Sequence, residues 1–220
     1  MKKVAFGIVL SFLVLSLGLR AGGQAAAPSL DGQMFQAIEK GDFATVMQLV
    51  EQGAHINAQG KGGITALIAA SAMGKADVVK LLLAKDAKTD IQDSRGDTAL
   101  NYALMISNID EAKLLIDKGA NVNLQEEGGL SPLMLGVVSG SVDQVKLLLD
   151  HGAKTDLADK QGYTALMGAS GGGFLDIVRL LLERGANIGA KSSEGTTALS
   201  LAIGNKKPEV EALLRAKGAH

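Results

Sequence analysis

The chain contains no cysteine and no tryptophan among its 220 residues, and aromatic residues make up only 3% of it. Without cysteine there can be no disulfide bond, thiolate metal site, cysteine nucleophile or lipid-modified cysteine. The aromatic side chains beyond residue 30 are Phe35, Phe43, Tyr102, Tyr163 and Phe174. Hydrophobic residues nevertheless account for 47% of the chain, so the core must consist mainly of Leu, Val, Ile and Ala. This composition favours thin layers of small side chains over one thick globular core.

The first residues have the layout of a secretory signal peptide. Lys2 and Lys3 precede an apolar run from Val4 to Leu19, and small residues dominate from Ala21 to Ala27. As a helix the apolar run would span about 24 Å, which is less than the roughly 30 Å of a bilayer core. This length favours a cleaved signal over a transmembrane anchor.

We expect residues 1–25 to be the signal peptide, cleaved after Gly23 or after Ala25, and residues 26–29 to be a short linker. The alternative is an uncleaved N-terminal anchor. Cleavage would place the protein in the periplasm or outside the cell, with no part inserted in the membrane. It would remove three of the 22 Lys plus Arg residues and none of the 23 Asp plus Glu residues, which leaves a net charge of −4. A mildly acidic chain is a poor nucleic-acid ligand, because phosphate binding requires a cationic surface.

A repeat with one constant step is the strongest signal in the sequence. One series of glycines with this step comprises Gly63, Gly96, Gly129, Gly162 and Gly195. In each case Thr or Ser follows two positions later, and Leu two positions after that. A second series comprises Gly53, Gly119, Gly152, Gly185 and Gly218, with Asp86 in the missing place. If the backbone at Asp86 is left-handed, as glycine at the sister positions allows, it carries strain on the order of 1 kcal/mol.

The unit itself predicts a pair of helices. Each Thr or Ser stands where its hydroxyl can cap a first helix, a tight turn follows, and an apolar second helix ends at the glycine of the second series. Short polar residues then stand where a side chain can satisfy loop backbone, namely Asn57, Asp90, Asn123 and Asp156. The stretch before the next helix, such as residues 157–163, should form an extended hairpin finger. No single unit can bury both of its apolar faces, so stacking must stabilise it.

The unit resembles the ankyrin repeat, whose motif begins G-x-T-P-L-H-x-A-A and ends in a GA pair. The best matches are Gly162–Leu166 with Gly185-Ala186, and Gly63–Leu67 with Val79–Leu83. The motif histidine is replaced by Ile68, Asn101, Met134, Met167 and Ser200, and these losses argue against the family's Thr–His hydrogen bond between repeats.

The resemblance covers about residues 30–220 and implies a mainly α ankyrin-repeat solenoid of about six 33-residue helix-turn-helix repeats with hairpin or loop fingers. The predicted units are an N-capping repeat at 30–59, internal repeats at 60–92, 93–125, 126–158 and 159–191, and a C-capping repeat at 192–220.

The sequence offers no arrangement suited to catalysis. His55 and His151 lie in different units, too far apart on the repeat to share a metal ion. The pairs Glu126-Glu127 and Asp93 with Asp97 are expected at hairpin tips, where water keeps carboxyl groups at their ordinary pKa. We therefore expect no enzyme activity and no cofactor or metal.

The resemblance also indicates where a partner would bind. In the ankyrin layout, the residue before the capping Thr or Ser and the last residues of the first helix line the concave surface, where the fold requires nothing apolar. The predicted contact residues there are Ile64, Met73, Asp97, Met105, Ile106, Leu130, Val138 and Tyr163. A polar rim on the fingers would comprise Asp93, Arg95, Glu126, Glu127, Asp159 and Lys160. The alternative is that Met105 and Ile106 only pack against the finger above them.

The function predicted from these features is a non-enzymatic, monomeric protein-binding module that holds a protein or peptide in the cell envelope. An exported effector or inhibitor of another protein would use the same groove. A third hypothesis is metal handling, in which the thioethers of Met73, Met105, Met134 and Met167 bind cuprous ion.

Overall fold

The computed structural model describes residues 29–220, which form twelve α-helices and no β-strand. The predicted signal peptide, residues 1–25, lies outside this range. The helices are α1 (Leu30–Lys40), α2 (Phe43–Glu51), α3 (Ala66–Ala72), α4 (Ala76–Ala84), α5 (Ala99–Met105), α6 (Ile109–Asp117), α7 (Pro132–Val138), α8 (Val142–Asp150), α9 (Ala165–Gly172), α10 (Leu175–Glu183), α11 (Ala198–Gly204) and α12 (Pro208–Ala216).

These helices form six antiparallel pairs that stack in two layers. The first helices of the pairs pack on one another in one layer, from α3 through α5, α7 and α9 to α11. The second helices pack in the same order in the other layer, from α4 to α12. The predicted mainly α solenoid of six helix-turn-helix repeats is therefore confirmed.

Each layer has its own row of buried leucines. In the first helices the leucine of the motif is at most 5% exposed, at Leu67, Leu100, Leu133, Leu166 and Leu199. In the second helices the middle leucine is fully buried, at Leu82, Leu115, Leu148, Leu181 and Leu214. Small residues fill the space between the rows, since Ala69 and Ala103 are also fully buried. The thin core expected from the composition is present.

The predicted caps of the first helices are also confirmed. In five consecutive repeats the Thr or Ser hydroxyl accepts a hydrogen bond from the backbone N–H three positions on, at 3.1–3.4 Å. The capping residues are Thr65, Thr98, Ser131, Thr164 and Thr197. Each bond satisfies an N–H group that has no partner inside its own helix.

The short polar residues after each second helix connect neighbouring repeats. Asn57 Oδ1 accepts from Lys88 N and Asp90 Oδ1 from Asn121 N, both at 2.8 Å. Asn123 and Asp156 make the same bond to the loops that follow them in the stack, at 2.8 and 2.9 Å. The sequence predicted that these side chains satisfy loop backbone, and the structure shows that the loop belongs to the next repeat.

The fingers are loops that hydrogen-bond to one another. Within residues 157–163, expected as an extended hairpin, the flanking pair Ala158–Thr164 forms one isolated bridge. Each finger also has a backbone hydrogen bond of its own, such as Asp159 N to the Tyr163 carbonyl at 3.0 Å. Further backbone N–H groups donate to the preceding finger, from Ser94 to Gly62, Glu127 to Arg95, Lys160 to Gly128 and Ser193 to Gln161, at 2.8–3.0 Å. The close approach leaves no room for a side chain at the glycine of the finger: a Cβ at Gly129 would lie 2.8 Å from the backbone of Asp159.

Among residues 29–220, three non-glycine residues have a left-handed backbone. Asp86 has φ 60°, as the glycine series predicts, and Ser107 and Lys206 have φ 60° and 54°. The last two occupy the turn between the two helices of a repeat, where the sister residues Gly74 and Gly140 have φ 62° and 68°.

Candidate protein-interaction surface

The predicted concave surface is formed by the fingers and by the C-terminal ends of the first helices. Of the contact residues predicted there, Ile64, Met73, Leu130 and Tyr163 are partly buried and pack against the core. Met105 and Val138 are exposed, at 37% and 74%. Val138 is the most exposed large hydrophobic side chain within residues 29–220.

Met105 and Val138 are adjacent in the stack. They are the last residues of α5 and α7, two first helices that pack on each other. The corresponding residues of the flanking repeats are Ala72 and Gly171, which carry little or no side chain. Met105 and Val138 therefore form a short apolar ridge between two low regions of the surface.

Ile106 contributes to internal packing. Its Cδ1 lies 3.3 Å from the position that a Cβ at Gly74 would take, so it contacts the turn between the helices of the preceding repeat. Ile106 itself is half-buried, and this contact is with a turn, whereas the alternative stated above was packing against a finger.

On α9, glycines leave the backbone of the helix uncovered by side chains. Gly168 is exposed, and a Cβ there would meet only Val137 Cγ1, at an ordinary 3.5 Å. Gly171 and Gly172 continue the same helix, and the Gly171 carbonyl accepts from Asn205 Nδ2 at 3.0 Å. The fold would therefore accommodate a side chain at Gly168, whereas a Cβ at Gly172 would lie 2.6 Å from the Phe174 ring.

The expectation that Asp93 and Asp97 are solvated is wrong, because both are buried, at 7% and 4% exposure. Asp93 Oδ1 accepts from the backbone N–H groups of Arg95 and Asp97, at 2.8 and 2.9 Å. Its Oδ2 accepts from the Tyr102 hydroxyl at 2.7 Å. The finger of the third repeat is therefore closed over a side chain of its own first helix, α5.

Arg95 completes this cluster from the solvent side. Its guanidinium donates to the Tyr102 hydroxyl at 2.5 Å, lies 3.3 Å from Asp97 Oδ2, and stands 5.7 Å from the centre of the Tyr102 ring. Half of the Arg95 side chain remains exposed. The guanidinium is thus held in one place at the edge of the surface.

Burial governs the ionisation of the cluster. It raises the pKa of Asp97 above its ordinary value, although a hydrogen bond from Asn101 Nδ2 and the charge of Arg95 act in the opposite direction. Burial, together with the hydrogen bond to Asp93, also raises the pKa of Tyr102. Asn101 and Tyr102 were not predicted as site residues from the sequence, but both are polar at positions where the preceding repeat has Ile68 and Ala69.

The predicted polar rim divides into two groups. Glu126 and Asp159 hold their own fingers, since Glu126 Oε1 accepts from Leu130 N at 2.7 Å and Asp159 Oδ1 accepts from Gln161 N and Tyr163 N at 2.9 and 2.8 Å. Asp93 has the same structural role. Arg95, Glu127 and Lys160 are exposed and remain open to a partner.

The part of the chain that the structure describes contains no group of three or more His, Asp or Glu side chains placed to hold a metal ion. Met134 and Met167 are buried in the first-helix layer, at 5% and 1% exposure. None of the helices in residues 29–220 has the length and apolar character needed to cross a membrane.

Comparison with known proteins agrees with this architecture. A family model described as "Ankyrin repeats (3 copies)" matches residues 34–126, 76–159, 107–192 and 133–220. A search of curated proteins finds no match. The overlapping family matches extend over almost all of the helical stack, and the chain therefore belongs to the ankyrin-repeat family.

Proposed function

We propose that the protein is a non-enzymatic binding module that holds a protein or peptide partner on its concave surface in the cell envelope. Ankyrin repeats generally mediate protein–protein interaction, which supports the coarse assignment. The apolar ridge of Met105 and Val138 is the observation that supports the concave surface as the place where the partner binds.

The fold gives no reason for this ridge. Valine is a weaker helix former than alanine and, at 74% exposure, Val138 contributes little to the core. The flanking repeats fill the same position with Ala72 and Gly171 and keep the same helices. Adjacent apolar side chains that the fold does not need are typical of an interaction surface, and methionine adapts its shape to a partner.

The exposed charges of the fingers would act during encounter. Arg95, Glu127 and Lys160 belong to three successive fingers, and they alternate in sign across the edge of the surface. Charges at the rim of an interface mainly affect association rate and orientation. Salt should therefore slow association with the partner more than it speeds dissociation.

The test is a double substitution, Met105→Asp with Val138→Asp, used as bait for affinity capture from envelope extract followed by mass spectrometry. We expect the partner recovered by the wild type to be lost, because two buried carboxylates would have to be desolvated in the interface. The matched control is Leu81→Asp, at an exposed apolar residue (48%) of the second-helix layer. Helical circular dichroism should be unchanged in both.

Capture that survives the double substitution would place the binding site elsewhere. The location is tested separately by cell fractionation and by sequencing the mature N-terminus, which should begin at Gln24 or Ala26. Accumulation in the culture supernatant would instead favour the exported effector or inhibitor.

A further inference from the structure

A buried carboxyl group lies between the second and third helix pairs. Glu111, in the first turn of α6, is 2% exposed. Its Oε2 accepts from Asn108 Nδ2 at 3.0 Å, but its Oε1 has no hydrogen-bond partner. Buried polar atoms without a partner are rare in proteins and destabilise them.

A second unpaired atom faces it from the preceding repeat. Ser71, near the C-terminal end of α3, is fully buried, and its Oγ also has no partner. The Ser71 hydroxyl favours the ionised form and so opposes the effect of burial on the pKa of Glu111, although neither Ser71 Oγ nor Glu111 Oε1 has a hydrogen-bond partner. Two polar groups therefore meet without pairing at the junction between these repeats.

At the junction between the third and fourth helix pairs, the residue equivalent to Glu111 is the neutral Gln144. Gln144 of α8 is fully buried and lies one repeat after Glu111, just as Leu104 lies one repeat after Ser71. Gln144 Nε2 donates to the Leu104 carbonyl oxygen at 3.1 Å, and its Oε1 accepts from Ser139 Oγ at 2.8 Å. At this position the stack thus accommodates a hydrogen-bond donor. A protonated Glu111 can act as one, whereas a carboxylate cannot.

No cation compensates an ionised Glu111. No Lys, Arg or His nitrogen within residues 29–220 forms an ion pair with its carboxyl group, whereas Lys80, Lys146 and His151 pair with other carboxylates. The charged residues on the elements that pack around it are all exposed: Lys75, Asp77 and Lys80 near α4, Asp110, Lys113 and Asp117 on α6, and Asp143, Lys146 and Asp150 on α8. α3 carries no titratable group, and the hydroxyl of Tyr102 on α5 is engaged with Asp93. Burial accordingly raises the pKa of Glu111 above its ordinary value.

We propose that the contact between Ser71 and Glu111 is a proton-dependent joint in the stack. With Glu111 protonated, its carboxyl donates to Ser71 and the second and third helix pairs stay closely packed. When the proton is lost, a buried carboxylate remains that Asn108 Nδ2 still contacts but that no cation neutralises, and the N-terminal helices α1–α4 loosen from the rest of the solenoid. This joint is independent of the proposed binding role, because it involves no residue of the apolar ridge.

The direction of the pH effect follows from linkage. The folded chain holds this proton more tightly than the unfolded chain, so the contribution of Glu111 is most favourable below the ordinary pKa of glutamate, about 4.3. It decreases as the pH rises through the raised value in the folded protein.

The experiment compares the thermal unfolding of wild type and Glu111→Gln from about pH 4 to about pH 8. The substitution introduces at position 111 the same neutral side chain that Gln144 has at the next junction. We expect equal melting temperatures at the acidic end and a variant that melts about 3 °C or more above wild type at the alkaline end. The reciprocal Gln144→Glu variant should acquire the pH dependence that Glu111→Gln has lost. Hydrogen exchange of the wild type at alkaline pH should be faster in α3 and α4 than in α9 and α10.

Other carboxyl groups affect both proteins equally, so the difference between the two curves isolates Glu111. Melting curves of wild type and Glu111→Gln that run parallel over the whole range would overturn the proposal. So would a Gln144→Glu variant that is destabilised equally at every pH.

Discussion

Asp86 is a residue whose backbone is strained by the position it occupies. Its φ of 60° lies in the left-handed region, and the sister positions Gly53, Gly119 and Gly152 all have a positive φ. Asp86→Gly should stabilise the protein by about 1 kcal/mol, which raises the melting temperature by roughly 2–4 °C for a chain of this size.

The matched control is Lys118→Gly, next to Gly119 but with φ −92°. Glycine brings no conformational advantage there, so this variant should melt at or below the wild-type temperature. An Asp86→Gly variant that behaves like Lys118→Gly would show that strain at Asp86 is negligible.

Tyr102 is the residue that joins the finger of the third repeat to its first helix. Tyr102→Phe removes the hydroxyl that donates to Asp93 and accepts from Arg95, and it leaves a buried carboxylate oxygen without this partner. We expect a loss of about 1–3 kcal/mol in the free energy of unfolding, measured by urea denaturation. Tyr163→Phe is the control, since no hydrogen bond of the Tyr163 hydroxyl occurs within residues 29–220. Equal losses in the two variants would contradict the role assigned to Tyr102.

The sequence could predict Asp86 but not this cluster. Asp86 interrupts a visible series of glycines, and a non-glycine L-residue is strained in the left-handed backbone that the series indicates. Ser107 and Lys206 interrupt a third series, in the turns at Gly41, Gly74, Gly140 and Gly173, which is equally visible once it is sought. Asp93 and Asp97 were expected in water because a single hairpin tip is exposed, whereas here the finger is covered by Tyr102 and linked to the neighbouring finger through Ser94.

At the scale of the element, the finger combines two separate requirements for glycine. Gly129 has φ 89°, and a Cβ would lie 2.8 Å from the backbone of the next finger. Gly195, in the last finger, has φ 79° but no atom within 4 Å of that Cβ. Gly195→Ala should therefore lose about 1 kcal/mol from backbone strain alone. Gly129→Ala should lose roughly 1–3 kcal/mol more from overpacking.

Chemical denaturation of the two alanine variants measures this difference. Similar losses would mean that the fingers move apart without penalty, and that their backbone hydrogen bonds contribute little to the stack.

The elements themselves were largely predictable, because capping, turn and core residues all repeat with one period. What could not be predicted is which repeat receives each bond. A row of glutamines illustrates this: Gln59 Nε2 donates to the Gly63 carbonyl of its own finger and to the Gln92 carbonyl of the next, at 3.1 and 3.0 Å. Gln92 and Gln125 make the same pair of contacts. Their spacing of one repeat was present in the sequence, but the second acceptor exists only after stacking.

At the scale of the whole molecule, the C-terminal repeat is more polar than the inner ones. Ser200 replaces the buried Met167, and Glu211 replaces the buried Val178. Glu211 forms an ion pair with Arg215 at 2.9 Å. Polar residues where inner repeats have apolar ones are typical of a capping repeat, and the C-capping role of residues 192–220 stays a prediction.

The interaction surface was predictable only as a set of positions. The family layout named eight contact residues, but it could not say that Ile64, Leu130 and Tyr163 pack inwards while Met105 and Val138 face solvent. That division depends on how far each side chain reaches into the neighbouring repeat, which packing decides. The apolar ridge is therefore a result of the structure.

The most direct test of the account is a photo-crosslinking amino acid placed at Val138 in the protein as it exists in its own cells. At 74% exposure, this residue lies at the centre of the proposed contact. We predict a discrete protein adduct after irradiation, which is absent when the same amino acid replaces Leu81 and is reduced by Met105→Asp. No adduct at Val138, or the same adducts at Val138 and Leu81, would contradict binding through the concave surface.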